Sequence, residues 1–300
     1  MEVNTTVRRR SPMIRRRLLA KKLRELREGA KMTSERLAKA TGIGRSTLSR
    51  VETGDRVAGV DEVTAILRAL QVEDHEPRWN DLVQMAEDAG VRGWWADWGA
   101  AMGSRQTAYA DLEHGAQQIH EYQPTVIPGL LQIAQYTALR VELARKQARL
   151  PDDPRSVDRA VEAKLMRARM LRRPGGPTYE AVIDETAIRR PAGPPEVMRA
   201  QLLHLAELAE RDRQITIRVL PQRACLEGYW LPRSPFTLHE YEYDDGMAVA
   251  VDTETTDLIY TDTDDLHPYL ELYDRVRNAA LTVRETAALL RADADALKEM

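Results

Sequence analysis

The stretch TSERLAKATGIGRSTLSRVETG, residues 33–54, decides how the N-terminal part of this chain folds. Its first half predicts a short helix, because the hydroxyl of Thr33 or Ser34 can accept a hydrogen bond from the free N–H groups of a first helical turn. Gly42 can take the left-handed conformation that ends such a helix. The second half predicts another short helix, which Gly54 closes.

The helix after Gly42 has one inward and one outward face. Leu48 and Val51 fall on the inward face at helical spacing, whereas Arg45 and Arg50 fall on the outward face. Two short helices joined by a glycine turn form a helix-turn-helix, whose second helix can enter the major groove and pair guanidinium groups with guanine. The alternative is that both arginines are only solvated surface charges.

Charge is distributed unevenly along the chain. Residues 1–56 contain 16 Lys and Arg against 6 Asp and Glu, a net charge of +10, while the remaining residues, with 28 against 41, carry −13. A basic end on an acidic body is typical of a module that binds a polyanion, although a solvated charge-rich surface has the same composition. Residues 1–13 are expected to form a flexible arm, and the arginines at 8–17 either clamp phosphates or are disordered.

Residues 18–72 resemble the phage-repressor helix-turn-helix family, known as Cro/C1 or Xre. The resemblance rests on the pattern Leu37-Ala38-x-x-x-Gly42-Ile43-x-x-Ser46-x-Leu48-Ser49-x-x-Glu52-x-Gly54. It implies a mainly α-helical, lambda-repressor-like DNA-binding domain, which we place at residues 14–75.

The same resemblance assigns roles to individual residues. Base edges are read from three positions: Arg45, Ser46 and Arg50. Phosphates are contacted from two others, Ser34 and Thr53, and we expect Arg56, the one basic residue of the following loop, to join them. Arg27 and Glu52 occupy positions of a buried ion pair, so we expect both to be structural rather than DNA contacts.

A break at His75-Glu76-Pro77 leads into residues 76–104, which we expect to form a helical linker. This segment contains three tryptophans in five residues: Trp94, Trp95 and Trp98. Such a cluster is either a platform for a ligand or partner, or a packing seam between two domains.

Residues 105–300 mix helical and strand patterns. Periodicity predicts helices over 105–120, 152–173 and 195–213 and two more at the end, the last opening with a Thr282–Glu285 capping box. Alternation predicts strands at 179–185, 215–220, 236–243, 247–252 and 258–260, with a hairpin at Asp244-Asp245-Gly246. We expect an α+β domain in which an antiparallel sheet packs on helices.

The run from Tyr122 to Tyr136 contains Pro128-Gly129-Leu130-Leu131-Gln132. It resembles a domain of unknown function (DUF5753) that follows the helix-turn-helix in many actinobacterial regulators, a family also described as antitoxin-like. Ile133 stands where threonine is usual in that family. Together with the three tryptophans, Tyr122, Gln132 and Tyr136 are the candidate ligand or partner residues of this part of the chain.

The chemistry-bearing residues do not form a catalytic pattern. The six histidines show neither an i,i+4 pair nor partner cysteines, so no metal site is expected. The single cysteine, Cys225, excludes an intrachain disulfide, and neither a phosphate-binding nor a dinucleotide-binding glycine loop is present. We expect no enzyme activity, no cofactor, no membrane span and a cytoplasmic location.

The sequence thus predicts a transcriptional regulator that binds double-stranded DNA. One such module buries only about 600–1,000 Å² on DNA, which favours a homodimer on a palindromic site. We expect the C-terminal domain to bind a small, basic partner protein encoded nearby and thereby to modulate DNA binding. The alternative is a ligand-gated regulator with a small-molecule pocket in that domain.

Overall fold

The structure, a computed structural model, describes residues 9–150, 153–242, 245–253 and 255–298. The chain divides into two compact units, of which the first extends to Ala96 and the second comprises most of the residues from Asp97 onward. Residues 1–8 of the expected arm, and Asp244 of the expected hairpin, lie outside the described residues.

The first unit is all helical. Its helices are α1 (Pro12–Gly29), α2 (Ser34–Thr41), α3 (Arg45–Glu52), α4 (Val60–Ala69) and α5 (Pro77–Ala89). The Ser11 hydroxyl caps α1 by accepting from the Ile14 N–H at 3.1 Å, and Pro12 at the first helical position has no N–H to lose. Residues 12–17 therefore belong to α1 and not to an arm.

The core of this unit lies between α1, α2, α3 and α4. Leu37, Leu48 and Ile66 are completely buried there. Helix α5 contributes to the same core through Trp79 and Leu82, so residues 77–89 pack into the first unit. Full burial of a leucine side chain stabilises a fold by about 1.5–3 kcal/mol, which gives these five helices a common source of stability.

The second unit is a six-stranded mixed sheet with helices. Its helices are α6 (Gly99–Gly115), α7 (Ala134–Gln147), α8 (Pro154–Leu171), α9 (Glu185–Arg189), α10 (Pro195–Arg211), α11 (Thr263–Ala279) and α12 (Val283–Ala296). Its strands are β1 (Gln118–Gln123), β2 (Thr178–Asp184), β3 (Ile215–Leu220), β4 (Phe236–Glu240), β5 (Met247–Val251) and β6 (Leu258–Tyr260). The strand order is β3-β2-β1-β4-β5-β6.

Most strand pairs of this sheet are antiparallel, as predicted for the domain, but one half is parallel. Pairs β1–β4, β4–β5 and β5–β6 are antiparallel, whereas β1–β2 and β2–β3 are parallel. Parallel neighbours need long crossovers, which α7 with α8 and α9 with α10 provide. The capping box that opens α12 is present, with Thr282 Oγ1 accepting from the Glu285 N–H.

Both faces of the sheet carry polar as well as apolar side chains. One face packs on α11, where Tyr122 and Phe236 meet Tyr273 in one buried cluster. Glu180 is directed to this face too and bonds to Arg218 and Arg277. Alternation along β1 directs Glu121 and Gln123 to the opposite face, and both are nevertheless buried.

The predicted helix over 105–120 is wrong at its C-terminal end. Helix α6 ends at Gly115, and Gln118–Gln123 form β1. Strand β1 lies near the middle of the sheet, hydrogen-bonded to β2 on one side and β4 on the other. Its conformation is therefore determined by two neighbours that are distant in sequence, which overrides the local helical pattern.

Candidate nucleic-acid interface

Local interactions set the geometry of the helix-turn-helix. Thr33 Oγ1 accepts from the Arg36 N–H at 3.2 Å and caps α2. Gly42 follows α2 with φ of 70°, and Gly54 follows α3 with φ of 74°, so both adopt the left-handed conformation that side chains disfavour. The caps and turns expected from residues 33–54 are thus present.

Helix α3 presents its polar face to solvent. Arg45, Ser46, Ser49 and Arg50 are exposed, while Leu48 and Val51 are buried. Neither Arg45 nor Arg50 has an ion-pair partner among the described residues, so their guanidinium groups are available to an external acceptor. Eight residues at about 1.5 Å each make α3 about 12 Å long, comparable with the width of the major groove.

The three predicted phosphate-contacting side chains are already engaged within the protein. The Ser34 hydroxyl lies 3.5 Å from Glu52 Oε2, and the Thr53 hydroxyl donates to Asp55 Oδ2 at 2.6 Å. Arg56 Nη1 donates to both carboxylate oxygens of Glu62, at 2.9 and 2.8 Å. Each of these groups would have to exchange an internal partner for a phosphate oxygen.

Arg27 and Glu52 form an ion pair between α1 and α3. Arg27 Nε lies 2.7 Å from Glu52 Oε1, and the side chains are 12% and 7% exposed. Arg27 also donates from Nη1 to the Met32 carbonyl at 3.0 Å. The hydrogen bond to Glu52 raises the pKa of Arg27 and keeps the guanidinium charged. These contacts hold α3 against α1 and against the loop that follows α1.

Some of the arginines near the N-terminus form ion pairs within the first unit. Arg15 is buried, and its Nε lies 3.5 Å from the Asp88 carboxylate, which Arg10 also approaches at 3.6 Å. Two other cations, Arg36 and Lys39, were not among the residues predicted to contact DNA. Both are exposed on α2 and have no ion-pair partner among the described residues. Their positions on the outer face of an amphipathic helix are the signal that could have identified them.

The candidate ligand or partner residues of the C-terminal part are not brought together. Trp94, Trp95 and Trp98 form a short 3-10 helix at the point where the two units divide, and Trp95 is buried. Tyr122 and Tyr136 are core residues, with 3% and 0% of their surface exposed. Gln132 is half-buried, and it borders a cavity in the second unit.

The sheet face opposite α11 holds a group of polar side chains that are buried among apolar ones. Glu121 accepts from the Tyr179 hydroxyl at 2.6 Å and from Gln123 Nε2 at 2.9 Å. Burial raises the pKa of Glu121 to about 7 and lowers the pKa of His239 to about 3. Both groups are therefore held partly or wholly uncharged at neutral pH, because a charge in this interior lacks solvation.

In the part of the chain that the structure describes, no group of three or more His, Cys, Asp and Glu side chains is arranged to hold a metal ion. Cys225 is an exposed free thiol. Within the same residues, none of the helices combines the length and apolar character that crossing a membrane requires.

A helix, a glycine turn and a second helix with outward cations define a DNA-binding regulator, and the model of a helix-turn-helix domain matches residues 18–80. The model of a domain of unknown function (DUF5753) matches residues 106–292, more than half of the chain. The chain belongs to this family, and the predicted combination of a helix-turn-helix domain with this C-terminal domain is confirmed. No curated protein and no solved structure matches the chain.

Proposed function

We propose that the first unit reads a specific DNA sequence by placing α3 in the major groove. In this arrangement Arg45 and Arg50 donate to guanine O6 and N7, and Ser46 contacts a neighbouring base edge. The observation that carries the proposal is the pair of exposed guanidinium groups on α3, which lack internal partners among the described residues.

Phosphate contacts then position α3 over the bases. Arg36 and Lys39 on α2 can bind the backbone without breaking an internal contact. Ser34 and Thr53 can join them after a change of hydrogen-bond partner, and Arg56 must first leave Glu62. We therefore expect Arg56→Ala to weaken DNA binding less than Lys39→Ala.

Binding as a homodimer on an inverted repeat follows from the size of the unit. A single helix-turn-helix buries about 600–1,000 Å² on DNA, which limits the affinity of one copy. Two copies related by a twofold axis would double the contact and would require half-sites about one helical turn apart.

Binding-site selection on the purified full chain tests this proposal. The wild type should enrich one inverted-repeat motif, and Arg50→Ala should weaken binding to that motif by about 5- to 150-fold, the worth of one bidentate base contact. Arg24 is an exposed cation on α1, so Arg24→Ala is the matched control and should change DNA binding less than threefold. Equal losses in the two variants would refute base reading by α3.

For the second unit we propose a modulating role exerted through a small, basic partner protein. Two features support this. Residues 97–300 contain 25 Lys and Arg against 33 Asp and Glu, and opposite charge favours association. Tyr229, Trp230 and Leu231 are 84%, 55% and 74% exposed, and contiguous exposed apolar residues mark interaction sites.

Crosslinking of the full chain in its own cell extract tests the partner hypothesis. A partner that contacts the apolar patch should be lost in Trp230→Ser/Leu231→Ser and should dissociate as salt is raised. It should also shift the DNA affinity of the wild type when it is added back purified. Retention by the double variant would place the partner elsewhere.

A second candidate function, gating of DNA binding by a small molecule, is favoured by the cavity that Gln132 borders.

A further inference from the structure

One wall of the cavity in the second unit is the segment that follows Pro128. Gln201, which is completely buried, fastens this segment: its amide donates to the Leu131 carbonyl and accepts from the Ile133 N–H, both at 2.9 Å. Gln132 donates to a preceding backbone carbonyl at 2.8 Å. Because three hydrogen bonds fix this backbone, the wall is formed before anything binds.

The cavity has the size and lining of a small-molecule site. Its volume is about 400 Å³, within the range of about 300–1,000 Å³ common for such sites. Leu130 and Ile133 line it from the fixed segment, Leu165 from α8 and Ile215 from β3. An apolar group of a few carbon atoms would contact these side chains and be removed from water.

The polar part of the lining is positively charged. Arg169 lies in the last turn of α8, Arg172 is the C-cap residue of that helix, and His204 joins them from α10. Arg172 Nε is paired with Asp212 at 3.1 Å, whereas Arg169 has no ion-pair partner among the described residues. Of the described residues that line the cavity, none is acidic. A guanidinium group without a counter-ion beside an apolar surface favours an anion.

His204 adds a hydrogen-bonding group rather than a charge. Burial and the neighbouring Arg172 lower the pKa of His204, so its ring is neutral at pH 7. A neutral imidazole offers one N–H donor and one acceptor.

We propose that this cavity binds a small organic anion with an apolar body. The carboxylate, sulfonate or phosphate group faces Arg169 and Arg172, and the apolar body lies against Leu130 and Leu165. The inference deepens the second candidate function, on which it rests for any effect on DNA binding. The binding itself requires no DNA.

Two fluorescent probes with the same apolar rings test the proposal on the full chain. The anion 8-anilinonaphthalene-1-sulfonate should bind in a saturable, single-site manner and compete with decanoate. The uncharged N-phenyl-1-naphthylamine has the same rings and lacks the sulfonate. Arg169→Gln should weaken binding of the sulfonate by about 10-fold or more, the effect of losing a charged hydrogen bond, and change binding of the neutral probe less than twofold. Arg159→Gln, exposed on the same helix and outside the cavity, should change neither.

Filling the cavity provides the second arm. Ala168→Trp places a large side chain on the α8 wall and should abolish binding of both probes. If that variant fails to fold, Ile133→Trp fills the cavity from the segment that follows Pro128. Saturable binding of the probes by a folded variant with a filled cavity would refute this cavity as the binding site. Equal effects of Arg169→Gln on both probes would refute the preference for an anion. The Arg45→Ala/Arg50→Ala variant should bind both probes like the wild type, so failure of DNA reading and failure of this site are distinguishable.

Discussion

Replacing Arg27 by methionine should loosen α3 more than replacing its ion-pair partner Glu52. In Arg27→Met, the Glu52 carboxylate, 7% exposed, keeps the Ser34 hydroxyl at 3.5 Å as its one side-chain partner among the described residues, and the Met32 carbonyl loses the Arg27 donor. In Glu52→Met, the guanidinium keeps the Met32 carbonyl at 3.0 Å and Glu28 at 3.4 Å. Arg27→Met therefore leaves a buried carboxylate without its cation, whereas Glu52→Met leaves the cation with two acceptors.

The magnitudes follow from how deeply the pair is buried. Removing one partner of a buried pair costs about 3–5 kcal/mol, and the 12% exposure of Arg27 places Arg27→Met near the lower end, at about 3 kcal/mol. Glu52→Met should cost about 1–2 kcal/mol, because a side chain that retains polar partners pays a smaller desolvation penalty. Arg27→Met/Glu52→Met removes both charges and should lie within about 1 kcal/mol of the wild type.

Hydrogen exchange of the α3 amides, measured by mass spectrometry on the full chain, reports the free energy of opening this helix. A loss of about 3 kcal/mol corresponds to roughly 150-fold faster exchange in Arg27→Met, and the double variant should recover most of the protection. The difference between the double variant and the sum of the single variants gives the coupling energy. If the α3 amides of the double variant exchange as fast as those of Arg27→Met, the reasoning is refuted. The loss of stability would then come from packing and not from an unpaired carboxylate.

Four further substitutions probe other interactions. Because the pKa of Glu121 is about 7 in the folded chain, only the folded state holds this proton between about pH 4.5 and 7. Stability is therefore lost as pH rises through that window, by up to about 3 kcal/mol, and Glu121→Gln should flatten this part of the melting-temperature profile. His239, whose pKa is about 3, acts in the opposite sense: the unfolded state takes up a proton first, stability is lost as pH falls from about 6.5, and His239→Phe should flatten the acid limb. Gln201→Ala leaves two buried backbone groups unpaired and should cost about 3 kcal/mol in urea unfolding, whereas a loss below 1 kcal/mol would show that the segment after Pro128 is held by other contacts. Gly42→Ala places a side chain at φ of 70° and should lower the stability of the first unit by about 1–2 kcal/mol, measured by urea unfolding, with Gly29→Ala, at a helical position with open space around an added Cβ, as the control that causes no loss.

The helix-turn-helix was predictable because its signals are local. A threonine hydroxyl can cap only the helix that starts beside it, and glycines at 42 and 54 determine where the chain may turn. The apolar spacing of Leu37 and Leu48 identifies the buried side of each helix without knowledge of what covers it. These signals were sufficient to place α2 and α3 to within a residue.

The internal partners of the predicted phosphate contacts could not be predicted in the same way. Arg56 meets Glu62 because the Glu62 carboxylate turns back to accept from the Gly59 N–H at the start of α4. The position of the Glu62 carboxylate depends on the conformation of the loop between α3 and α4, and no periodic pattern in the sequence indicates that conformation. The burial of Arg15 beside Asp88 similarly depends on α5 packing against α1, over a separation of more than seventy residues.

Strand β1 shows why the polar centre of the second unit escaped prediction. Residues 118–123 include Glu121 and Gln123, and side chains of this kind are rarely buried, so their positions indicate a solvated surface. In the structure the Glu121 carboxyl accepts from Gln123 and from Tyr179, a partner more than fifty residues away on β2. The hydrogen bonds favour the ionised form of Glu121 and burial opposes it more strongly, as its raised pKa records. A buried carboxyl group in a strand is thus stable only where hydrogen-bond donors reach it, and one of the donors to Glu121 comes from the pairing of β1 with β2 and not from β1 itself.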